Sequence, residues 1–187
     1  MPCFKLFMLM LGCRPKGRHT EQHDIFFGLA EKPADLIPQM LQFWPEAKGV
    51  LHVDAWREVS HVSGYRIEVT EKTNQSAIDD SIKLFFINLG GYKQNEFDEF
   101  HYKMLIAGSN KAAAVSIAKQ SAFYKHTGFK GATSHIDDKY GIDVDDLYEI
   151  KDILPPSIKE KYQLVLSTAT APTEDLLHIG YFKLTAL

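Results

Sequence analysis

Two short apolar runs, 78 positions apart, organise the chain. The first, Phe4 to Leu11, is continuously apolar after Lys5 and reads as a buried strand that Gly12 ends. A polar loop around Arg14-Pro15-Lys16-Gly17 follows, and then His23 to Leu29, with Ile25, Phe26 and Phe27, reads as a second strand. Apolar positions then change to helical spacing at Leu36, Ile37, Met40, Leu41 and Trp44. Pro38 is tolerated only in a first turn, so the helix is expected to begin near Asp35 as its N-cap. Gly49 marks the helix exit, and Val50–Val53 and Tyr65–Val69 read as two more strands.

The same order returns downstream. Lys5, Leu6, Phe7, Leu11, Gly12, Glu21, His23 and Ala34 recur as Lys83, Leu84, Phe85, Leu89, Gly90, Glu99, His101 and Ala112 at one constant offset. Chance would supply about two such identities over this length at average residue usage. A second helix is expected over Lys111–Tyr124, capped by Ser109 or Asn110, with Gly128 at its exit. Beyond it the match resumes in shifted register. His52-Val53-Asp54 answers His135-Ile136-Asp137, Trp56–Val59 answers Leu147–Ile150, and Tyr65–Val69 answers Tyr162–Leu166. The insertions, such as Asp137–Gly141 and Leu154-Pro155-Pro156, have the composition of surface loops.

The series Lys-Leu-Phe, Leu-Gly, Glu-x-His, Leu51–Trp56 and Gly64–Ile67 resembles the bacterial domain-of-unknown-function family 1543. The resemblance covers roughly residues 4–69 and 82–166. It implies a module present in one or two copies per chain, and brings no activity, substrate or cofactor with it. The expected fold class is α+β: two tandem β-β-α-β-β modules related by internal duplication, each an antiparallel or mixed sheet with a helix on one face. The modules are expected at 1–70 and 82–187, with 71–81 as linker and loop insertions and a C-terminal extension in the second. The tail Leu176–Leu184 could add an edge strand. One helix leaves one sheet face uncovered, so the copies are expected to pack faces together or to join edges.

Composition narrows the function classes. Of the residues, 45% are hydrophobic and 24% charged, with a formal net charge of −3, as in ordinary globular proteins. The electrostatic footprint of a nucleic-acid binder is missing, and no stretch is long and apolar enough to span a bilayer. Met1–Cys13 imitates a signal peptide, but its pattern recurs at Lys83–Gly90, where no signal can act, so it is expected to be retained. Cys3 and Cys13, on one strand, would stand roughly 33 Å apart, beyond disulfide reach. Reduced thiols and a cytoplasmic location follow.

The residues that stay polar in both copies are Glu21, His23, His52 and Asp54, and Glu99, His101, His135 and Asp137. In a strand, residues two apart share a face. Two imidazoles and two carboxylates could therefore converge, to hold a divalent metal or to act as an acid/base pair. Hydrogen bonding to loop backbone explains the same repetition and is the favoured reading, ahead of a metal or catalytic site and of a partner surface. No zinc, nucleotide or EF-hand motif is present; Asp137, Asp138, Asp143, Asp145 and Asp146 read as a solvated acidic loop. Cys13 has no counterpart, since Gly91 stands in its place, which disfavours a shared thiol nucleophile. The expected function is a non-enzymatic duplicated binding or interaction module, with a protein or small-molecule ligand. The alternative is a small metal-assisted hydrolase. Convergence of His23 with His52 around an open pocket would favour the enzyme.

Overall fold

The N-terminal apolar run forms β1, Lys5–Cys13, in a computed structural model that describes residues 3–73, 80–92, 95–120, 142–170 and 173–187. β1 pairs antiparallel with β2, Gln22–Ala30, on one side and with β3, His52–Glu58, on the other. Its odd residues Phe7, Leu9, Leu11 and Cys13 are all buried on one face, with Phe26, Ala30 and Val53. Leu36, Met40, Ala47 and Leu51 cover that face. Each fully buried side chain of the Leu or Met type contributes about 1.5–3 kcal/mol relative to exposure. Leu36 ends a 3-10 turn, Pro33–Leu36, and Met40 lies in α1, Ile37–Phe43. The helix thus starts later than Asp35, whose carboxylate lies in the 3-10 turn and caps nothing. Pro38, with no N–H to donate, fits the first turn of α1.

Gly12 does not end β1. It lies inside the strand, paired with His23 on β2 and His52 on β3. The third strand starts later than its apolar residues suggest, at His52 rather than Val50, and runs on to Glu58.

The chain divides into two compact units, Met1–Ala77 with Leu154–Leu187, and Ile78–Ile153. In the first, β4, His61–Val62, turns into β5, Tyr65–Glu71, through Ser63 and Gly64. Both turn residues have positive φ, 53° and 82°, the pattern of a type I′ hairpin. β5 pairs antiparallel with β9, Tyr162–Thr168. The tail strand, β10 at His178–Lys183, adds to β3 and makes the sheet order β10-β3-β1-β2.

The second unit holds β6, Lys83–Tyr92, β7, Glu99–Gly108, α2, Lys111–Ala118, β8, Ile142–Glu149, and the short α3, Ile150–Ile153. Its sheet order is β7-β6-β8, all antiparallel. Asn110 caps α2, its side-chain oxygen accepting from the Ala113 amide at 2.9 Å. Ala114 and Ala118 are fully buried with Phe85, Ile87, Leu89 and Ile106. α2 ends at Ala118 with Lys119 as its C-cap, short of the expected Tyr124; residues 121–141, with Gly128, His135 and Asp137, and most of the linker lie outside the described residues.

Both units therefore run hairpin, helix, third strand, and place that strand on the free side of the first. Both third strands bulge at one equivalent step. Leu11 and Met10 face Val53 and Ala55, so Asp54 is the extra residue. Leu89 and Asn88 face Val144 and Asp146, so Asp145 is the extra residue. By register, Asp143-Val144-Asp145 stands where His52-Val53-Asp54 stands, the place that sequence matching assigns to His135-Ile136-Asp137. The acidic residues Asp143, Asp145 and Asp146 are thus strand residues and not a solvated loop. Among the described residues, no helix is long and apolar enough to cross a membrane.

Candidate functional site

Directly opposed residues on antiparallel strands share a face, so His23, Gly12 and His52 form one row across three strands. This is the face opposite the helix-covered core. A side chain at the middle position would separate the two imidazoles, and glycine leaves the space open. A Cβ built there would collide with the Asp54 carboxylate and with Nε2 of His52. The bulge at Asp54 swings that carboxylate over Gly12. Glu21, one residue before β2 and two before His23, completes the group.

All four side chains converge. His52 Nε2 lies 3.0 Å from Glu21 Oε1 and 3.3 Å from Asp54 Oδ1, and His23 Nε2 lies 3.2 Å from Asp54 Oδ2 and 3.8 Å from Glu21 Oε2. Burial is graded: the His52 side chain is 5% exposed and Asp54 20%, against 39% for His23 and 45% for Glu21. The distances are short, yet His52 Nε2 and Asp54 Oδ2 are both buried and neither has a hydrogen bond. The oxygens near Nε2 lie off the axis along which the ring could donate. Such orphaned buried groups cost about 1–3 kcal/mol each.

A cation bound there would remove that cost. Nitrogen and oxygen ligands held about 2.0–2.2 Å from zinc stand about 3.0–3.4 Å from one another in octahedral or tetrahedral geometry. Pair by pair, three of the four contacts fall in that interval, and the side chains would have to draw closer together for one ion to reach all four. A divalent ion would also balance the two carboxylates packed beside a buried ring. The Tyr181 ring of β10 lies over His52, centroids 4.4 Å apart, and fixes one side of the imidazole.

The second unit brings together Glu99, His101 and Asp145. One ligand atom from each lies within 4.8 Å of the others, and His101 Nε2 is 3.2 Å from Asp145 Oδ2. All three are exposed. Gly90 pairs with His101 and Asp143, and a Cβ on it would collide with the Asp145 carboxylate. Tyr92 hydrogen-bonds Glu99, which raises the phenol above its ordinary pKa of 10.0.

Comparison with known proteins bears on the first of these sites. Residues 18–69 match the family model described as Domain of Unknown Function (DUF1543). That segment contains Glu21, His23, His52 and Asp54. Gly12 and Tyr181, which shape the site, lie outside the DUF1543 match. No curated protein sequence matches the chain. A crystal structure of the protein Il1583 from Idiomarina loihiensis is similar along the whole length, with 97% of each chain covered, 20% identity and a TM-score of 0.65. At that identity the likeness shows the fold alone.

The structure thus gathers Glu21, His23, His52 and Asp54 from the DUF1543 segment, and Glu99 with His101 from the second unit. Sequence reading missed Asp145, which no His-x-Asp spacing flags, and the spatial role of Gly12 and Gly90. It also missed Tyr181, since nothing local ties it to His52. Of the remaining candidates, Cys13 is fully buried on the core side, and burial first, then the Glu21 and Glu46 charges, push its thiol pKa up. Ser60, His61 and Asp175 also meet, with Ser60 Oγ 2.9 Å from His61 Nδ1, but the same ring nitrogen faces both Ser60 and Asp175 and no serine-to-histidine-to-aspartate relay runs through the ring. The Ser60 hydroxyl donates to Asp175 at 2.7 Å, and the Ser60 and His61 amides donate to the same carboxylate. Asp175 therefore ties the β3–β4 turn to the C-terminal segment.

Proposed function

We propose that this protein is a duplicated binding module whose first unit holds a divalent transition-metal ion on Glu21, His23, His52 and Asp54. The observation that carries the reading is the buried Nε2 of His52, without a hydrogen bond and flanked by two carboxylates at ligand-to-ligand distance. Two imidazoles favour zinc, nickel or cobalt over magnesium or calcium. Gly12 opens the platform, the bulge delivers Asp54, and Tyr181 orients the buried ring. All four polar side chains act as ligands in this reading, so none is assigned as a general base.

Elemental analysis after dialysis, followed by zinc titration of chelator-stripped protein, tests the reading. One zinc should bind in the first unit, and His52→Ala or Asp54→Asn should weaken it by about tenfold or more. Wild-type protein that binds no zinc, or His52→Ala binding as well as wild type, would refute it. A metal-assisted hydrolase is the second reading. The half exposure of His23 and Glu21 favours it, because it leaves one side of the ion open to a substrate or water. Zinc-dependent hydrolysis of an activated ester or phosphoester, lost in His52→Ala, would decide for it.

A further inference from the structure

The second unit repeats the platform with different furniture. Gly90 stands for Gly12, Asp145 for Asp54 on the same bulge, and Glu99 and His101 for Glu21 and His23. The register place of the buried His52 is taken by Asp143. The donors there are one imidazole and two carboxylates, on His101, Glu99 and Asp145, against two imidazoles and two carboxylates in the first unit. Exposure changes as well. The first unit buries its central imidazole, whereas Glu99, His101 and Asp145 all face solvent.

We infer that the second unit is a separate divalent-cation site of a different class, one that accepts a hard ion of the manganese type. The inference rests on the reading of the first site, because it uses the shared platform. Carboxylate and water ligands in an octahedron suit manganese and magnesium, and a single imidazole is compatible with manganese. Solvent exposure leaves room for the waters that such ions retain. Three features show that the group is built. The Asp145 carboxylate sits over the strand where only glycine leaves room. A bulge places Asp145 there, as another places Asp54. The Tyr92 hydroxyl holds Glu99 across the hairpin, in the manner of the outer contacts that orient metal ligands. One chain thus carries two inequivalent ions, a tightly held soft-to-borderline one and a weaker, exchangeable hard one.

Electron paramagnetic resonance of manganese reads this out, because the six-line signal of the free ion is lost on binding. Chelator-stripped wild-type protein is loaded with one equivalent of zinc and titrated with manganese. One manganese per chain should bind. His101→Gln and Asp145→Asn should each weaken it by about tenfold or more. Both side chains are about a third exposed, at 35% and 30%, so these variants should keep the fold, checked by circular dichroism. Stripped His52→Ala, without zinc, should bind manganese as wild type does. Manganese binding that persists in folded Asp145→Asn and His101→Gln, or is absent from wild type, overturns the inference. Manganese bound in an Asp145-dependent way by a protein that takes up no zinc supports the second site and refutes the first alone.

Discussion

Gly12 and Gly90 occupy the same place in their sheets but should not respond alike to substitution. In Gly12→Ala the new methyl meets Asp54, 20% exposed, and the ring of His52, 5% exposed and packed under Tyr181. Overpacking of this kind costs about 1–3 kcal/mol, and urea denaturation should show it together with loss of zinc. In Gly90→Ala the obstacle is the carboxylate of Asp145, which is 30% exposed. That variant should lose less stability than Gly12→Ala while still losing manganese. Cys13 makes a second residue-scale case. Its thiol pKa is raised above 9.0 by burial, so the folded state holds the proton more tightly than the unfolded state. The resulting stabilisation is complete below pH 9.0 and is lost as pH rises through the raised value. Melting temperatures between pH 8 and 10.5 should fall less steeply for Cys13→Ala than for wild type. Iodoacetamide should label exposed Cys3 and spare Cys13 in the native protein. At this scale the polar quartet of the first unit was legible, because alternation along a strand puts Glu21 with His23 and His52 with Asp54. Gly12 is visible as a repeated residue but reads as a strand end, since turns are what glycine most often marks.

At the scale of elements, two carboxylates that tie strands together differ sharply in worth. Lys5 bonds Glu58 across β1 and β3 at 2.7 Å, and the Lys5 pKa is raised first by that hydrogen bond and then by the Glu58 charge. Both side chains are 40% exposed, so solvent screens the pair and Lys5→Gln should cost less than about 1 kcal/mol. Asp175 is 4% exposed and accepts two amides and a hydroxyl. Asp175→Ala should cost about 2–3 kcal/mol, because it strands two backbone donors. Denaturation midpoints of the two variants compare them directly. The repeated lysine was legible and Asp175 was not, because its partners lie 114 and 115 residues away. Strand and helix existence could be read from apolar periodicity, but boundaries drifted where polar residues line the functional face. Asp143, Asp145 and Asp146 look like loop residues, yet all lie in a strand. The polarity that hid that strand is what the proposed second site uses.

For the whole molecule, the decisive fact is that the end of the chain completes its beginning. Residues 154–187 fold with Met1–Ala77, through β9 on β5 and β10 on β3. The sequence carries no local signal for either pairing. Tyr162–Leu166 resembles Tyr65–Val69, and the choice between partners is tertiary. The consequence can be tested by ending the chain after Asp175, which keeps β9 and the Asp175 anchor but removes β10. Phe182, Leu184 and Leu187 would then leave the first core, which they join as partly buried residues. Their loss should cost on the order of 3 kcal/mol, allowing for incomplete burial. His178, stacked on Trp56 at 3.8 Å between centroids, would be lost as well, and so would Tyr181 over His52. Trp56 and the hydrogen-bonding edge of β3 would be exposed. The shortened protein should therefore show weakened zinc binding and faster hydrogen exchange at Leu9, Leu11 and Val53. The second unit, whose strands lie within Ile78–Ile153, should keep both its protection at Phe85, Ile87 and Leu89 and its manganese affinity. Zinc affinity unchanged by the truncation would show that β10 is a passive cover, and that the buried imidazole is positioned by β1, β2 and β3 alone.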